Sequence, residues 1–301
     1  MLIQLTKETI SAYFRDLQDA ICQALETADG TGKFVEDSWE RTGGGGGRSR
    51  VMQEGAVLEK GGVGFSAVWG DLHETTRRTM NLGEGVGFYA TGVSIVMHPR
   101  NPHVPIIHMN VRYFELSNGD CWFGGGIDLT PHYVAEADAR WFHQQLKSAC
   151  DRFSPQYYPR FKPWADDYFF SPHRNETRGV GGIFFDYLKP AENLPIEELF
   201  GFVKAIGESF APIYTALITK HKDQNFTEKE QQWQLLRRGR YVEFNLVHDR
   251  GTKFGLETNG RTESILMSLP PLASWTYNYQ PEPGSREEET LAWLRKGVDW
   301  I

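Results

Sequence analysis

The sequence predicts an α+β fold built on a central sheet, and three observations carry that expectation. Helical stripes stand at both ends and in the middle of the chain. Between them lie β-rich runs parted by short turns rich in Pro and Gly, the signature of antiparallel neighbours. The regular strand–helix alternation that a doubly wound sheet requires is missing.

The elements follow in order. Ile10, Phe14, Leu17, Ile21 and Leu25 recur at three- and four-residue steps, so the chain opens with an amphipathic helix. Residues 34–50 carry five consecutive glycines, Gly43 to Gly47, whose default reading is a flexible loop. Residues 51–69 read as short strands broken at Gly61-Gly62, and 92–98 and 106–116 as strands around a turn holding Pro99, Pro102 and Pro105. Another strand starts at Cys121. A helix over 136–150 turns Trp141, Phe142, Leu146 and Cys150 one way. A long helix covers 196–221, and a shorter one follows Thr227, where Thr227-x-x-Glu230 has capping-box form. Residues 240–248 and 253–258 resemble the strands of a hairpin. Ser285-x-x-Glu288 caps a last helix with Leu291, Leu294 and Val298 on its apolar side. No repeat or linker divides the 301 residues, so one domain spanning 1–301 is expected.

Composition narrows the function. A formal charge of −7 provides no basic field for nucleic acid. No apolar run approaches the roughly 18 residues of a membrane span. Residues 1–16 lack both the apolar core of a secretory signal and the acid-poor character of a transit peptide, which points to the cytoplasm. Three cysteines without CxxC spacing read as reduced thiols.

Strand parity singles out candidate residues. On a strand over 106–116, His108, Asn110, Arg112 and Phe114 share one face, and Ile107, Met109, Val111 and Tyr113 the other. Ser94, Val96 and His98 likewise share a face. If the two strands pair, Ser94, His98, His108, Asn110 and Arg112 line one wall; an ordinary solvated sheet face is the competing reading. Asp128 follows Gly124-Gly125-Gly126, which suits either close approach to a ligand or a tight turn. Neither Gly43–Gly47 nor Gly83-x-Gly85-x-Gly87 completes a nucleotide-binding motif. The nine histidines show no metal-ligand spacing, whereas Arg112, Arg174, Arg178 and Arg261 stand where guanidinium forks can clamp carboxylates.

Larger blocks add a resemblance. The runs from Gly92 through His98 to Pro105, His108-Met-Asn-Val-Arg-Tyr-Phe114 and Trp122-Phe-Gly-Gly-Gly-Ile-Asp-Leu-Thr-Pro131 are similar to oxygen-dependent coproporphyrinogen III oxidases. So are Lys162-Pro-Trp164, the run from His173-Arg-Asn-Glu-Thr-Arg to Phe-Phe-Asp186, and the runs starting at Arg238 and Asn259. The early runs Gly43–Arg48 and Glu59-Lys-Gly-Gly62 belong to the same pattern. Ala165, Ser171 and Asn259 depart from it, where the family commonly has cysteine, an aliphatic residue and glycine.

The resemblance implies a large antiparallel sheet flanked by α-helices on both faces, a homodimer formed around residues 240–275, and a tetracarboxylate porphyrinogen as substrate. Two propionates would become vinyl groups, giving protoporphyrinogen IX in haem biosynthesis, with dioxygen as co-substrate and no further cofactor required. It implies catalytic roles for His108 in proton transfer, Arg112 at a propionate and Asp128 at the pyrrole N–H groups. Ser94, Asn110, Val111, Arg112, Asn259, Gly260 and Arg261 would position the substrate. Some bacterial relatives have been read as holding a divalent metal, which maps here to His98, His108, His143 and His173. A metal-free reaction is the expectation, because one imidazole cannot easily be both a neutral ligand and a proton donor. Two rival readings remain: a porphyrin-binding or haem-trafficking protein without chemistry, and a two-His, one-carboxylate iron oxygenase.

Overall fold

Thr6 and Thr9 each accept the other's backbone N–H, starting helix α1 (Lys7–Asp29) with a reciprocal cap. All five residues of its predicted stripe are buried. The computed structural model describes residues 5–72, 74–79, 83, 85–257 and 260–301. After α1 come β1 (Val35–Glu40), β2 (Gly45–Gln53), β3 (Leu58–Asp71), α2 (Glu74–Thr79), β4 (Gly87–Pro99), β5 (Ile106–Leu116) and β6 (Cys121–Thr130). Next are α3 (Glu136–Asp151), α4 (Tyr157–Tyr168), the short β7 (Phe170–Ser171) and β8 (Glu176–Thr177), and β9 (Gly181–Leu188). The chain closes with α5 (Ile196–His221), α6 (Glu228–Glu243), one π-helical turn (Phe244–His248), α7 (Arg250–Glu257), α8 (Thr262–Leu266) and α9 (Arg286–Trp293).

Seven strands form one antiparallel sheet in the order β1-β2-β3-β4-β5-β6-β9, the predicted α+β architecture. Its two faces differ in chemistry. Val63, Phe65, Val93, Ile95, Ile107, Met109, Val111, Ile127, Ile183 and Phe185 point one way and join α1, α3 and α5 in the main core. Opposite, α6 lays Tyr241 against Val96 and Ile106, and Phe244 joins Ala165, Phe169 and Phe184. Helices therefore flank both faces. Only the first face is a continuous apolar layer.

Several local expectations fail for identifiable reasons. Gly45, Gly46 and Gly47 begin β2 and do not form a loop. A Cβ on any of them would stand 2.2–2.3 Å from a carbonyl oxygen of β1 or β3, so the run permits close strand packing. Strand β3 passes through Gly61-Gly62 without a break. There the missing side chains admit the Met97 and Met267 sulfurs, which a Cβ would meet at 2.4 and 2.8 Å. The hairpin expected over 240–258 is helical instead: α6 continues to Glu243, then come the π turn and α7. Among the described residues of this stretch Tyr241, Phe244, Asn245 and Thr252 are buried, at helical and not alternating spacing. Trp141 turns outward at 37% exposure while Phe142, Leu146 and Cys150 are buried. Helix α9 ends at Trp293, so Leu294 and Val298 pack from the segment beyond it. The capping boxes at Thr227 and Ser285 form as read, except that Ser285 caps without a reciprocal bond.

One buried carboxylate ties α1 to the sheet. Asp29 accepts N–H groups from Gly32 (2.6 Å), Ala56 (3.0 Å), Val57 (2.8 Å) and Leu58 (2.8 Å), fixing the β2–β3 connection. Burial alone would raise its pKa, but these donors bring it down to about 2. A folded value below the unfolded value of roughly 3.9 stabilises the fold above that pH, and the stabilisation is lost as pH falls from about 4 to about 2. Asp29→Ala strands several buried donors and is expected to lower unfolding free energy by about 3 kcal/mol in urea. The variant should also show a flatter stability profile between pH 4 and 2. Wild-type stability in the variant would mean that the connection is held by other contacts.

Candidate active site

The second face of the sheet builds the site in rows, because paired residues of neighbouring strands point the same way. Gly62, Val96, His108, Asp128 and Gly182 form one row across β3, β4, β5, β6 and β9. Gly64, Ser94, Asn110, Gly126 and Phe184 form the next, and Ser66, Gly92, Arg112 and Gly124 the third. The middle of this face is thus nearly free of side-chain bulk. Two connected hollows lie on it, about 260 and about 490 Å³, sharing Ser94, Asn110, Arg112, Ser264, Ile265 and Met267. His108, Tyr168, Arg178, Phe184 and Tyr241 enclose the inner lobe; Trp39, Arg41, Phe88, Gly260 and Arg261 line the outer one. Such a size and mixed lining suit a small organic ligand.

His108 and Arg112 lie on the same face, as strand parity requires. His108 Nδ1 stands 2.8 Å from Asp128 Oδ1. Arg178 Nη2 donates to the same oxygen at 2.7 Å, and its Nε reaches Oδ2 at 3.3 Å. Burial would raise the Asp128 carboxyl, but Arg178 and His108 hold it below the usual range, so it is ionised. An ionised acceptor requires a proton on His108 Nδ1, which leaves Nε2 as the nitrogen available to a ligand. Arg178 is itself sealed: Nη1 donates to Asn245 Oδ1 at 2.8 Å, and the rings of Phe169, Tyr241 and Phe244 lie 4.4–4.8 Å from its guanidinium.

Arg112 is different. Its side chain is 41% exposed and pairs with Asp186 at 2.7 Å. Gly124 makes room for this pair, since a Cβ there would sit 2.8 Å from Arg112 Nε and 2.6 Å from Asp186 Oδ1. Asn110 Oδ1 is buried with no hydrogen-bond partner among the described residues, so a ligand N–H would satisfy it.

The other expected residues divide. Ser94 lines both lobes. Val111 is fully buried in the opposite core, because it alternates with Asn110 and Arg112. It lines neither lobe, and its backbone is paired with Val93 of β4 and Gly125 of β6. Gly260 donates its N–H to Gly255 O at 2.7 Å; Arg261 bonds Ser264 Oγ at 3.1 Å and pairs with Asp37. Both line the outer lobe, and Asn259 lies outside the described residues. Asp128 does not reach the ligand space directly, since it is 1% exposed and both oxygens are engaged. It stands behind His108.

The four histidines of the metal set do not converge. His98 is buried under the segment after α8, with Nε2 on Ser268 O at 2.8 Å, and burial pushes its pKa down to about 3. His143 lies beyond the opposite face, where Nε2 bonds Val180 O at 3.0 Å and Nδ1 bonds the Tyr158 hydroxyl at 2.8 Å. Both of its nitrogens are used. His173 is exposed, between His248 and Glu243 at 2.8 Å each. Among the described residues, no group of three or more His, Cys, Asp or Glu side chains offers a metal site. This arrangement does not fit the four-histidine set.

Sequence reasoning misses Asp186, Phe184, Asn245 and Asp249. Alternation through residues 181–188 is a signal for the first two, since Ile183 and Phe185 are core residues. The last two are hidden when a helix is read as a hairpin. Arg174 and Arg178 are not the open carboxylate clamps expected: Arg174 grips Glu243 through two bonds of 2.7 and 2.6 Å, and Arg178 is internal.

Comparison with known proteins identifies the family. The family model for coproporphyrinogen III oxidase matches residues 9–300. An oxygen-dependent coproporphyrinogen-III oxidase of Prochlorococcus marinus (strain NATL1A) is 51% identical over 95% of this chain and 88% of its own length. Another so named, from a different strain of the same organism, is 49% identical over 97% of this chain and 92% of its own. The chain therefore belongs to the coproporphyrinogen III oxidase family.

Proposed function

We propose that this chain is an oxygen-dependent coproporphyrinogen III oxidase, converting two propionates of its substrate into vinyl groups to give protoporphyrinogen IX. The observation that carries the reading is the convergence of His108 Nε2, Asn110 Oδ1 and Arg112 over a floor of glycines. A broad, flexible ring with acidic arms needs both parts: backbone it can approach closely, and fixed cations at its rim. In each conversion the propionate β-carbon loses hydrogen, its C–H electrons pass to dioxygen, and the broken carbon–carboxylate bond supplies the new double bond as carbon dioxide leaves. Two-electron reduction of dioxygen to peroxide balances the step. The substrate's own β C–H bond thus supplies both electrons and the ring keeps its oxidation level, so no flavin or nicotinamide is needed to balance the step.

The residues take distinct parts. Arg112 holds the carboxylate near the reacting carbon. Asn110 accepts a pyrrole N–H. His108, kept in one tautomer by Asp128, takes up and returns a proton through Nε2. Asp128 is a positioning residue for that imidazole, not a direct contact to the pyrroles. A metal-free reaction is the reading we take; it is supported by His143, whose two bonded nitrogens count against the four-histidine set. The partner is a second copy of this chain, joined through residues 240–275. Leu246, Val247, Leu272 and Trp275 are 43–62% exposed there, apolar side chains that would be covered in such a pair. A cytoplasmic setting follows from the same reading.

Aerobic incubation with coproporphyrinogen III, followed by chromatography, should show loss of two carboxyl groups; anaerobic incubation should show none. His108→Ala and Arg112→Ala should each reduce turnover by about 10²–10⁴-fold, Arg112→Ala with an unchanged melting temperature and His108→Ala with a lowered one, because it removes a donor from buried Asp128. Near-normal turnover in either variant removes that residue from the mechanism, and porphyrin binding without product in air favours the trafficking reading. Protein shown metal-free by elemental analysis should keep full activity; recovery only on adding a divalent metal would overturn the metal-free reading. Val247→Asp should shift sedimentation from dimer to monomer, and an unaltered sedimentation coefficient would place the interface elsewhere.

A further inference from the structure

The outer lobe ends at an arginine that no role above uses. Arg41 follows β1 in the tight turn to β2, and that turn is shaped by the five-glycine run. Its Nη1 donates to Trp69 O at 2.9 Å, and its guanidinium lies 5.6 Å from the Phe88 ring centre. Gly43 and Gly70, at φ of +108° and +143°, both leave room for it: a Cβ on either would stand 3.3 Å from Nη1. The planar group is therefore held in place by a carbonyl, a ring and two glycines.

It is held without a counter-charge. The other arginines of the lobe have carboxylates, Asp186 for Arg112 and Asp37 for Arg261. Arg41 forms no ion pair among the described residues, and Asp71, the carboxylate on the lobe's lining, does not pair with it. Most of its N–H donors stay free at the edge of a hollow that also contains Arg112. The register sets the separation: Arg112 pairs with Gly92, and the stacked Phe88 lies four residues further along β4, roughly 13 Å at strand spacing. Arg112 stands four residues from His108 along β5, roughly 13 Å by the same spacing, and Arg41 lies farther along the same floor.

We propose that Arg41 is a substrate-positioning residue that grips a carboxylate on the side of the macrocycle remote from His108. This deepens the function proposed above and rests on it. Binding through a remote carboxylate is made equally in ground and transition states, so its loss raises KM and leaves kcat nearly unchanged. Arg41→Met should raise KM for coproporphyrinogen III about tenfold to a hundredfold, the effect of losing a charge-assisted contact. Its kcat should stay within about threefold and its melting temperature should not move. Arg41→Lys, which keeps the charge but loses the fork, should recover part of the lost affinity. Binding of the oxidised tetracarboxylate coproporphyrin III, followed by tryptophan fluorescence, should weaken in the same order. An active wild type with Arg41→Met at wild-type KM overturns the inference, as does a fall in kcat with KM unchanged or an equal loss in Arg41→Lys. An inactive wild type instead overturns the function reading, so the two failures are distinguishable.

Discussion

The carboxylate of Asp128 is the constraint on which the site depends. A lone ionised group with 1% exposure would be prohibitively costly, so it exists only because Arg178 meets it with a buried fork and His108 adds a third donor. Arg178 tolerates burial because a guanidinium is weakly hydrated and its faces rest against aromatic rings. Through Asn245 the same arginine is bonded to the π turn, so β5, β6, the loop before β9 and the end of α6 meet at one charge. Removing either ion would leave the other buried and unpaired, which penalises any rearrangement of these elements. What reaches the ligand is the consequence: an imidazole whose tautomer and ring plane are set from behind.

The sheet keeps two incompatible demands apart. A continuous apolar layer is needed to bury α1, α3 and α5, whereas a polar ligand needs unfilled space and donors. Period-two alternation allows one strand to serve both, since Ile107, Met109 and Val111 go to the core while His108, Asn110 and Arg112 go to the cleft. Glycines then occupy the cleft side at Gly62, Gly64, Gly92, Gly124 and Gly126. Their cost in backbone entropy is offset by strand pairing, on both sides of Gly62, Gly64, Gly92 and Gly126 and on the β5 side of Gly124.

Strand parity makes much of this legible in the sequence. The alternation of residues 106–116 is unambiguous, so the shared face of His108 and Arg112 follows without a structure. Residues 240–248 fail by the same reasoning, because Tyr241, Val242, Phe244 and Leu246 suit strand propensity while their burial follows a helical period imposed by packing on Val96, Phe169 and Phe184. Asp128 stands out in the sequence as chemically important, but its place behind the imidazole does not. Nothing in its local sequence discloses that Arg178, fifty residues on, closes over it. The histidine set fails for a related reason: similarity aligns positions, and only geometry shows that His143 has both nitrogens bonded on the far side of the sheet.

Two arginine–carboxylate pairs at one site invite the question of which can release its partner to a substrate. Their lengths are equal, 2.7 Å for Arg178–Asp128 and 2.7 Å for Arg112–Asp186, so distance does not decide. Exposure does. The Arg178 side chain is 3% exposed and Arg112 is 41% exposed. A solvent-exposed pair is worth about 0–1 kcal/mol, so an incoming propionate can replace Asp186 at little cost. Parting the buried pair would strand an ion and cost roughly 3–5 kcal/mol. The same chemical motif is therefore a structural clasp at one position and an exchangeable anchor at the other, and the difference is set by water.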